Sequence, residues 1–353
     1  MLHAYVGNVG KYQTFIMIEF GSDFHYVEER GGGKNTLQDI FPSANYYADG
    51  RQALIHLYRS QGWQRLWVPE YFCYDVVASL REAGLELWFY TDYPGSNDNE
   101  NLNLDFRAGD ALLRVNYFGT RSYRSPEKLM VPVVEDHTHD LIADWALRSS
   151  ADWCIASLRK SLPIPEGGML WSPVGLRFPE QPALSDENER MAAIRWEAMK
   201  LKADYLEGRF ADKEAFRKKF TETEEWFDDA EPVAIDKRSM EYLSRFDVTQ
   251  WQQAKRRNWL LLKDGVHADF LEPENDDATP FSLILMAKNG EERERIRQRL
   301  IKNAVYPAIL WHVPDDCCQE VKDVSRRMIS IHCDGRYTED DMKRMATIIN
   351  EAI

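Results

Sequence analysis

Short apolar segments alternate with helical segments between about residue 46 and residue 157. Several of these segments are apolar at consecutive positions, which indicates strands buried on both faces. The predicted strands are Arg65–Pro69, Leu85–Tyr90, Ala111–Tyr117, Met130–Glu135 and Asp152–Ser157. Helices are predicted between them, for example from the N-cap candidate Asp49 to Tyr58 and from Asp75 to Ala83. This alternation is typical of an α/β fold, in which helices cover both faces of a mostly parallel sheet.

The charge and the cysteine content exclude several classes of partner and location. The 353 residues carry a net charge of −14, and the pI is about 5.1. Nucleic acids and anionic membrane surfaces bind clustered positive charge, so neither is expected as a main partner. The 5 cysteines are scattered without CxxC spacing, which indicates reduced thiols in a cytoplasmic protein. No run is apolar enough to span a bilayer, and no signal-peptide pattern is seen, so a membrane segment is not expected.

The second half of the chain changes character twice. Residues 185–263 carry apolar residues at helical spacing, such as Phe216, Phe220 and Phe227, which predicts long helices including one over Ser239–Leu262. Residues 279–353 combine two charged helices with short strands, predicted at Pro280–Met286, Tyr306–Trp311 and Met328–His332. We expect an N-terminal arm over residues 1–45, a large domain over residues 46–240 and a small C-terminal α+β domain over residues 241–353.

Polar residues follow the predicted strands at their carboxyl ends, where parallel sheets bind ligands. They are Asn116, Asp136, His139 and Lys160. Lys160 is unusual because its flanks are apolar and its neighbour Arg159 is a second cation. Both features disfavour a protonated ammonium. A lysine that is neutral near pH 7 is a nucleophile towards carbonyl groups.

Three short motifs supply complementary chemistry. Asp49-Gly50-Arg51 begins a predicted helix, and a helix N-terminus offers unpaired N–H groups to a phosphate. Asp136 could hold a protonated ring nitrogen, and His139 could donate a hydrogen bond to an oxygen of the same ring. Ser157 could bind phosphate, and Lys160 could form an imine with an aldehyde. A phosphate cradle, a carboxylate and a lysine in this order are what pyridoxal 5'-phosphate (PLP) requires.

Each motif also has a simpler interpretation. The helix start could be capped without a ligand, Asp136 could be a structural buried acid, and Lys160 could extend into solvent. The stretch Glu135-Asp136-His137-Thr138-His139 could bind a metal ion, but no further clear ligand cluster is present in the sequence, and no metal is predicted. Taken together, the three motifs favour a PLP site.

The order of these motifs resembles that of fold-type-I PLP enzymes, and most of all the DegT-type sugar-aminotransferase family. The family's phosphate-binding Ser-Gly-Thr-x-Ala-Leu is similar to residues 49–54, and its Glu-Asp-x-x-Gln is similar to residues 135–139. The family's lysine, followed by Gly-Glu-Gly-Gly, resembles Lys160 with Pro165-Glu166-Gly167-Gly168. Residues 328–342 resemble the family's Leu-Ser-Leu-Pro segment and its final helix. The resemblance extends from about residue 45 to residue 353 and is weak between 175 and 275.

The resemblance implies a fold-type-I PLP-dependent transferase. Its large domain would contain a mostly parallel, seven-stranded sheet, and the protein would be a homodimer. The implied activity is aminotransfer from an amino acid to a keto acceptor, such as a keto sugar, through a Lys160 imine, with Asp136 keeping the ring nitrogen protonated. The implied cofactor contacts are Lys160, Asp136, His139, Gly50, Arg51 and Ser157. The candidate substrate residues are Asn116, Tyr117, Trp311 and His312.

Several positions depart from the family pattern. Arg51 and His139 replace a threonine and a glutamine, and Ser157 is closer to Lys160 than the family's serine is to its lysine. Cys73 lies about where the family has an aromatic side chain that stacks on the ring, so the stacking residue is not assigned. These departures predict a divergent branch whose substrate need not be a nucleotide sugar.

Two other functions are compatible with the same motifs. PLP-dependent elimination or desulfuration would use a catalytic cysteine, for which the polar stretch at Cys317-Cys318 is the candidate. A protein that kept this fold only for binding or regulation would need neither Asp136 nor Lys160. The presence of both residues therefore argues for an enzyme.

Overall fold

The computed structural model describes residues 5–7, 14–16, 19–29, 32–96, 102–126, 129–229, 231–276 and 278–353. The strands are β1 (Tyr5–Gly7), β2 (Thr14–Ile16), β3 (Phe20–Gly21), β4 (Asn45–Tyr47), β5 (Arg65–Pro69), β6 (Leu87–Tyr90), β7 (Asp110–Val115), β8 (Val133–Asp136), β9 (Trp153–Ser157), β10 (Gly168–Trp171), β11 (Ser282–Met286), β12 (Val305–Tyr306) and β13 (Met328–His332). The helices are α1 (Leu37–Ile40), α2 (Gly50–Gln61), α3 (Tyr74–Glu82), α4 (Asp144–Arg148), α5 (Leu158–Ser161), α6 (Asp186–Leu206), α7 (Lys213–Asp229), α8 (Lys237–Leu243), α9 (Val248–Gly265), α10 (Gly290–Lys302), α11 (Gln319–Arg327) and α12 (Glu339–Ala352).

The larger part of the chain is built on a seven-stranded sheet in the order β4-β10-β9-β8-β7-β5-β6. The neighbouring strands β6, β5, β7, β8 and β9 are parallel, and β10 is antiparallel to both of its neighbours. The predicted α/β architecture with a mostly parallel sheet is therefore confirmed. The strands β4 and β10 are absent from the sequence prediction. Both are short, and β10 begins within a glycine pair that indicates a turn.

Helices cover both faces of this sheet. Alternate residues of β9 reach two different cores, because successive side chains of a strand point to opposite faces. Trp153 and Ile155 pack with residues of α2 and α3, whereas Cys154 and Ala156 pack with residues of α6 and α7. The carboxyl ends of β7, β8 and β9 thus lie at one edge of a sheet that is buried on both faces.

The C-terminal part contains a smaller sheet of β11 and β13, which are antiparallel, while β12 pairs with β3. Helix α9 connects the two parts, since Trp251 belongs to the core around α6 and α7 and Trp259 to the core of the C-terminal part. Residue 241, where we expect the small domain to begin, lies within α8. The division into three parts stays a prediction. None of the described helices is long and apolar enough to cross a membrane.

Two predicted elements differ from the structure in more than their exact bounds. The strand predicted over Tyr306–Trp311 does not form as a continuous strand, because Pro307 has no N–H group for a ladder, and beyond it only an isolated bridge between Ala308 and Ser330 is seen among the described residues. The helix predicted over Ser239–Leu262 is divided into α8 and α9, and Asp247 caps α9 by accepting a hydrogen bond from the Gln250 N–H at 2.8 Å. Lys160 follows β9 and lies in α5, the single helical turn after this strand.

Candidate active site

A cavity of about 480 Å³ lies at the carboxyl edge of the large sheet. Asp136 at the end of β8, Ser157 at the end of β9 and Gly50 at the start of α2 all line it. The predicted site residues that line the cavity are Gly50, Arg51, Asp136, His139, Ser157, Lys160 and Trp311. Asn116, Tyr117 and His312 are not among the described residues that line it. Sheet topology thus brings together residues more than 100 positions apart in the sequence.

Asn116 and Tyr117 lie behind the cavity wall. Asn116 is 1% exposed, and its Oδ1 accepts a hydrogen bond from the Arg121 N–H. The hydroxyl of the fully buried Tyr117 donates to the carbonyl of Tyr71 at 2.7 Å. His312 is exposed in the loop after Trp311. Their predicted roles as substrate residues stay predictions.

Lys160 extends from α5 into the cavity. Its side chain is 47% exposed, and its Nζ lies 3.9 Å from Oε1 of Glu224 on α7. Burial within the protein and the neighbouring Arg159 guanidinium lower the pKa of the Lys160 amine, whereas the Glu224 and Asp49 carboxylates act in the opposite direction. The local field therefore favours the neutral, nucleophilic form of this amine relative to a surface lysine.

The carboxylate of Asp136 faces the cavity and has few hydrogen-bonding partners within the protein. Its Oδ1 accepts a hydrogen bond from the Thr138 N–H at 2.8 Å. No lysine or arginine in the described part of the chain forms an ion pair with it, and burial raises the pKa of the carboxyl group. A buried carboxylate is costly without a positive partner, so a cationic group in the cavity would stabilise it.

His139 forms part of an aromatic wall. Its Nδ1 accepts a hydrogen bond from the Phe118 N–H at 3.0 Å, so the proton of the neutral ring is on Nε2. Burial, assisted by Lys255 and Lys160, lowers the pKa of His139 to about 3. The ring packs against both Phe118 and Trp311, at centroid distances of 5.4 Å and 5.6 Å, and those two rings lie 6.2 Å from each other. His139 is therefore a fixed, neutral hydrogen-bond donor.

Close backbone contacts hold the start of α2 against the ends of β9 and β10. A Cβ on Gly50 would lie 2.9 Å from the Cβ of Ser157, and one on Gly168 would lie 2.2 Å from the carbonyl oxygen of Asp49. The Ser157 N–H donates to Thr138 Oγ1 at 2.9 Å. The space that Gly50 leaves is thus taken by Ser157, and the glycines allow α2, β9 and β10 to meet.

The start of α2 is already capped by the protein. Oδ1 of Asp49 accepts a hydrogen bond from the Arg51 N–H at 2.7 Å. The Arg51 side chain is buried, and its Nη1 donates to Ser79 Oγ at 3.0 Å. Asp49 also lies 3.3 Å from the Nε of Arg159, so the helix start is part of a wider set of ion pairs.

This set of ion pairs centres on Glu224, which the sequence analysis missed. Glu224 accepts two hydrogen bonds from Arg159, at 2.9 Å and 2.7 Å, and one from Arg195 of α6 at 3.1 Å. Through Asp49 the set also reaches Arg51. Within the described part of the chain it joins Arg51, Arg159, Lys160, Arg195, Asp49 and Glu224. The cationic side chains of this set suit an anionic ligand group despite the negative charge of the whole chain.

A sequence signal for Glu224 did exist. Phe216, Phe220 and Phe227 define the apolar stripe of α7, and position 224 falls on this stripe at helical spacing. An acidic residue on a buried stripe indicates a cationic partner. The partner, Arg159, lies next to the lysine that the sequence singled out.

Two further groups bear on the sequence predictions. Phe72 and Cys73 both line the cavity at the place where a ring-stacking residue is expected.

Glu135, His137 and Cys154 lie together on the opposite face of the sheet from Asp136, with one ligand-type atom of each within 4.8 Å of the others. These three buried side chains contact one another, and Glu135 Oε2 also accepts a hydrogen bond from Ser149.

Solved structures with a similar fold include aminotransferases. No protein-family profile matches the sequence, and no curated protein matches it. Helicobacter pylori PseC, an aminotransferase involved in the biosynthesis of pseudoaminic acid, is 13% identical, with a TM-score of 0.59 over 95% of this chain and 99% of PseC. Streptomyces venezuelae DesV, solved with a ketimine intermediate, is 13% identical, with a TM-score of 0.56 over 89% of this chain and 88% of DesV.

Spr1654 of Streptococcus pneumoniae, described as a sugar aminotransferase and solved in its PLP form, has a TM-score of 0.55 at 12% identity, over 92% of this chain and 93% of its own. At this level of identity the similarity concerns the fold. It extends over nearly the whole chain, so the predicted fold class, a large α/β part followed by an α+β part as in fold-type-I PLP enzymes, is confirmed.

Proposed function

We propose that the protein is a PLP-dependent aminotransferase. The observation that carries this proposal is the meeting of three groups in one cavity. These groups are the amine of Lys160, the carboxylate of Asp136, which pairs with no lysine or arginine of the described residues, and the start of α2 with the cations Arg51 and Arg159 beside it. The donor set fits PLP, since the cofactor brings a cationic ring nitrogen, an aldehyde and a phosphate.

Each residue of the site would have a distinct role. Asp136 would pair with the ring nitrogen, and His139 would donate from Nε2 to an oxygen on the ring. Ser157, Gly50 and Arg51 would hold the phosphate. PLP, when bound, supplies an electron sink for negative charge at the carbon that bears the amino group. Lys160 would bond the aldehyde and, once displaced by the amino donor, carry the proton at that carbon as general base and acid.

The partners follow from the reaction. An amino acid would donate the amino group, and a keto compound would accept it. Spr1654, which shares this fold, is a sugar aminotransferase by name, which supports a sugar-like acceptor. We further propose a cytoplasmic homodimer, on the resemblance to this class of enzymes. For elimination chemistry the candidate cysteine is less suited, because Cys317 is buried 3.3 Å from the Tyr74 hydroxyl and does not line the cavity.

Absorbance spectroscopy tests the proposal. The purified protein supplied with PLP is expected to show the visible band of a lysine-bound cofactor, and Lys160→Ala is expected to abolish it. Lys200→Ala on the exposed side of α6 is the matched control and should retain the band. Addition of glutamate should then convert the band to that of the pyridoxamine form. A colourless wild-type protein would refute the cofactor assignment, and a band that glutamate and other amino donors leave unchanged would refute aminotransfer.

A further inference from the structure

Glu224 is an acidic residue of the cavity to which the proposed mechanism gives no role. It lies on the apolar stripe of α7, near the buried rings of Phe220 and Phe227. A carboxylate at such a position lowers the stability of the fold unless cations neutralise it. Arg159 and Arg195 do so through three hydrogen bonds of 2.7–3.1 Å.

The position of the Glu224 carboxylate is firmly determined. The guanidinium groups of Arg159 and Arg195 both pack on the ring of Phe227, with centroid distances of 5.2 Å and 5.6 Å. Arg159 is held in addition by Asp49 at 3.3 Å. A bidentate arginine pair fixes the plane of a carboxylate as well as its location. Of the two carboxylate oxygens, Oε1 is the one that lies 3.9 Å from Nζ of Lys160.

We propose that Glu224 is a positioning residue for Lys160, because its arginine-anchored carboxylate holds Nζ at the cavity wall and supplies the counter-charge of the ammonium. This inference rests on the proposed function, in which Lys160 bonds the cofactor. Among the described residues, the charged or titratable groups that act on this amine or join its ion pairs are Asp49, Arg51, Cys73, His139, Arg159, Arg195 and Glu224. Among them, Glu224 is the carboxylate within ion-pair distance of Nζ.

Loss of the Glu224 charge would change Lys160 in two ways. Arg195 would lose its ion pair with Glu224, and Arg159 would keep only that with Asp49, so their repulsion of the Lys160 ammonium would increase and disfavour this form. The amine would also lose the group that fixes its place at the wall. Lys160 is therefore expected to react with carbonyl compounds at lower pH in the Glu224→Gln variant than in the wild-type protein.

The experiment measures the reactivity of Lys160 without the cofactor. The full chain is dialysed against hydroxylamine and then against buffer, so that no carbonyl compound masks the lysine. Formaldehyde and cyanoborohydride then methylate neutral amines between pH 6 and pH 10, and peptide mass spectrometry reports the rate at Lys160. The midpoint of this profile is expected to fall by about one pH unit or more in Glu224→Gln. Glu222→Gln, at an exposed position on the same helix, is the control with the same change in charge.

Three results are decisive. A lower midpoint in Glu224→Gln with an unchanged midpoint in Glu222→Gln supports the proposal. Equal profiles for Glu224→Gln and the wild-type protein overturn it. Equal shifts in both variants also overturn it, because the effect would then come from the charge of the helix as a whole. None of these results depends on PLP binding, so a failure here is distinguishable from a failure of the proposed function.

Glu224→Asp keeps the experiment conclusive if Glu224→Gln does not fold. Aspartate retains the charge that the arginines need, but its shorter side chain cannot keep the arginine contacts and also approach Nζ. We expect this variant to fold and to show a smaller decrease of the midpoint than the glutamine variant. A profile that coincides with that of the wild-type protein would overturn the proposal.

Discussion

At the scale of single residues, the cavity contains charged groups whose environment departs from that of surface groups. Asp136 is partly buried and pairs with no lysine or arginine of the described residues, and Lys160 lies beside a second cation. Both residues were identifiable in the sequence, because each is a charged residue next to an apolar strand. Glu224 was not identified, since its partner Arg159 is distant along the chain and only the fold brings the two together.

Asp136→Asn is the residue-level prediction. The amide keeps the shape of the side chain but removes the charge that would pair with a ring nitrogen. A charged hydrogen bond contributes about 1.5–3 kcal/mol, so we expect PLP to bind roughly 10-fold to 100-fold more weakly. A fluorescence titration with PLP measures the affinity. Asp75→Asn, at another acidic position of the cavity lining, removes the same charge and should have a smaller effect. Equal losses in both variants would contradict the role of Asp136.

At the scale of elements, the site depends on how closely α2 approaches β9 and β10. The sequence motif Asp49-Gly50-Arg51 predicted a helix start and a ligand cradle, and the helix is present. The sequence does not reveal that Gly50 contacts Ser157, because strand β10 and its contact with Asp49 are not predictable from so short a segment. The loop after Pro307 was likewise missed, although it supplies Trp311 to the cavity.

Gly50→Ala tests this close approach. Its Cβ would lie 2.9–3.0 Å from three atoms of Ser157, two of them in the backbone, so the strand or the helix would have to move. We expect a loss of about 1–3 kcal/mol in the free energy of unfolding. Urea denaturation measures it. Gly290→Ala is the matched control, because Gly290 is the first residue of α10 and its nearest neighbouring atom is 3.7 Å away. Equal stability of the two variants would show that α2 tolerates a wider spacing.

At the scale of the whole molecule, the alternation of strands and helices was sufficient to predict the α/β class. The order of the strands in the sheet could not be predicted from the sequence, since it depends on pairings between distant segments. The same folding places histidines from three separate regions partly or fully out of contact with solvent. Burial, assisted by nearby cations, lowers the pKa of His25 to about 3, that of His139 to about 3 and that of His332 to about 4.

These histidines predict that the folded protein loses stability in mild acid. Each has a lower pKa in the folded state than the usual 6.5, so the unfolded chain binds more protons once the pH falls below about 6.5. Their neutral forms therefore favour folding above pH 6.5, and this advantage diminishes progressively towards pH 4. For His139, which is 5% exposed, the difference amounts to roughly 2 kcal/mol between pH 7.5 and pH 5.

His139→Gln isolates one of these contributions. Glutamine does not titrate, so the variant should lose about 2 kcal/mol less than the wild-type protein between pH 7.5 and pH 5. Urea denaturation at the two pH values gives the free energies of unfolding. At pH 7.5 the difference in unfolding free energy between the variant and the wild-type protein reports the change in packing and in the hydrogen bond from Phe118. This difference is subtracted from the difference measured at pH 5. Equal losses in the variant and the wild-type protein would mean that His139 is protonated within the fold, and it would then not be the neutral donor that the cavity requires.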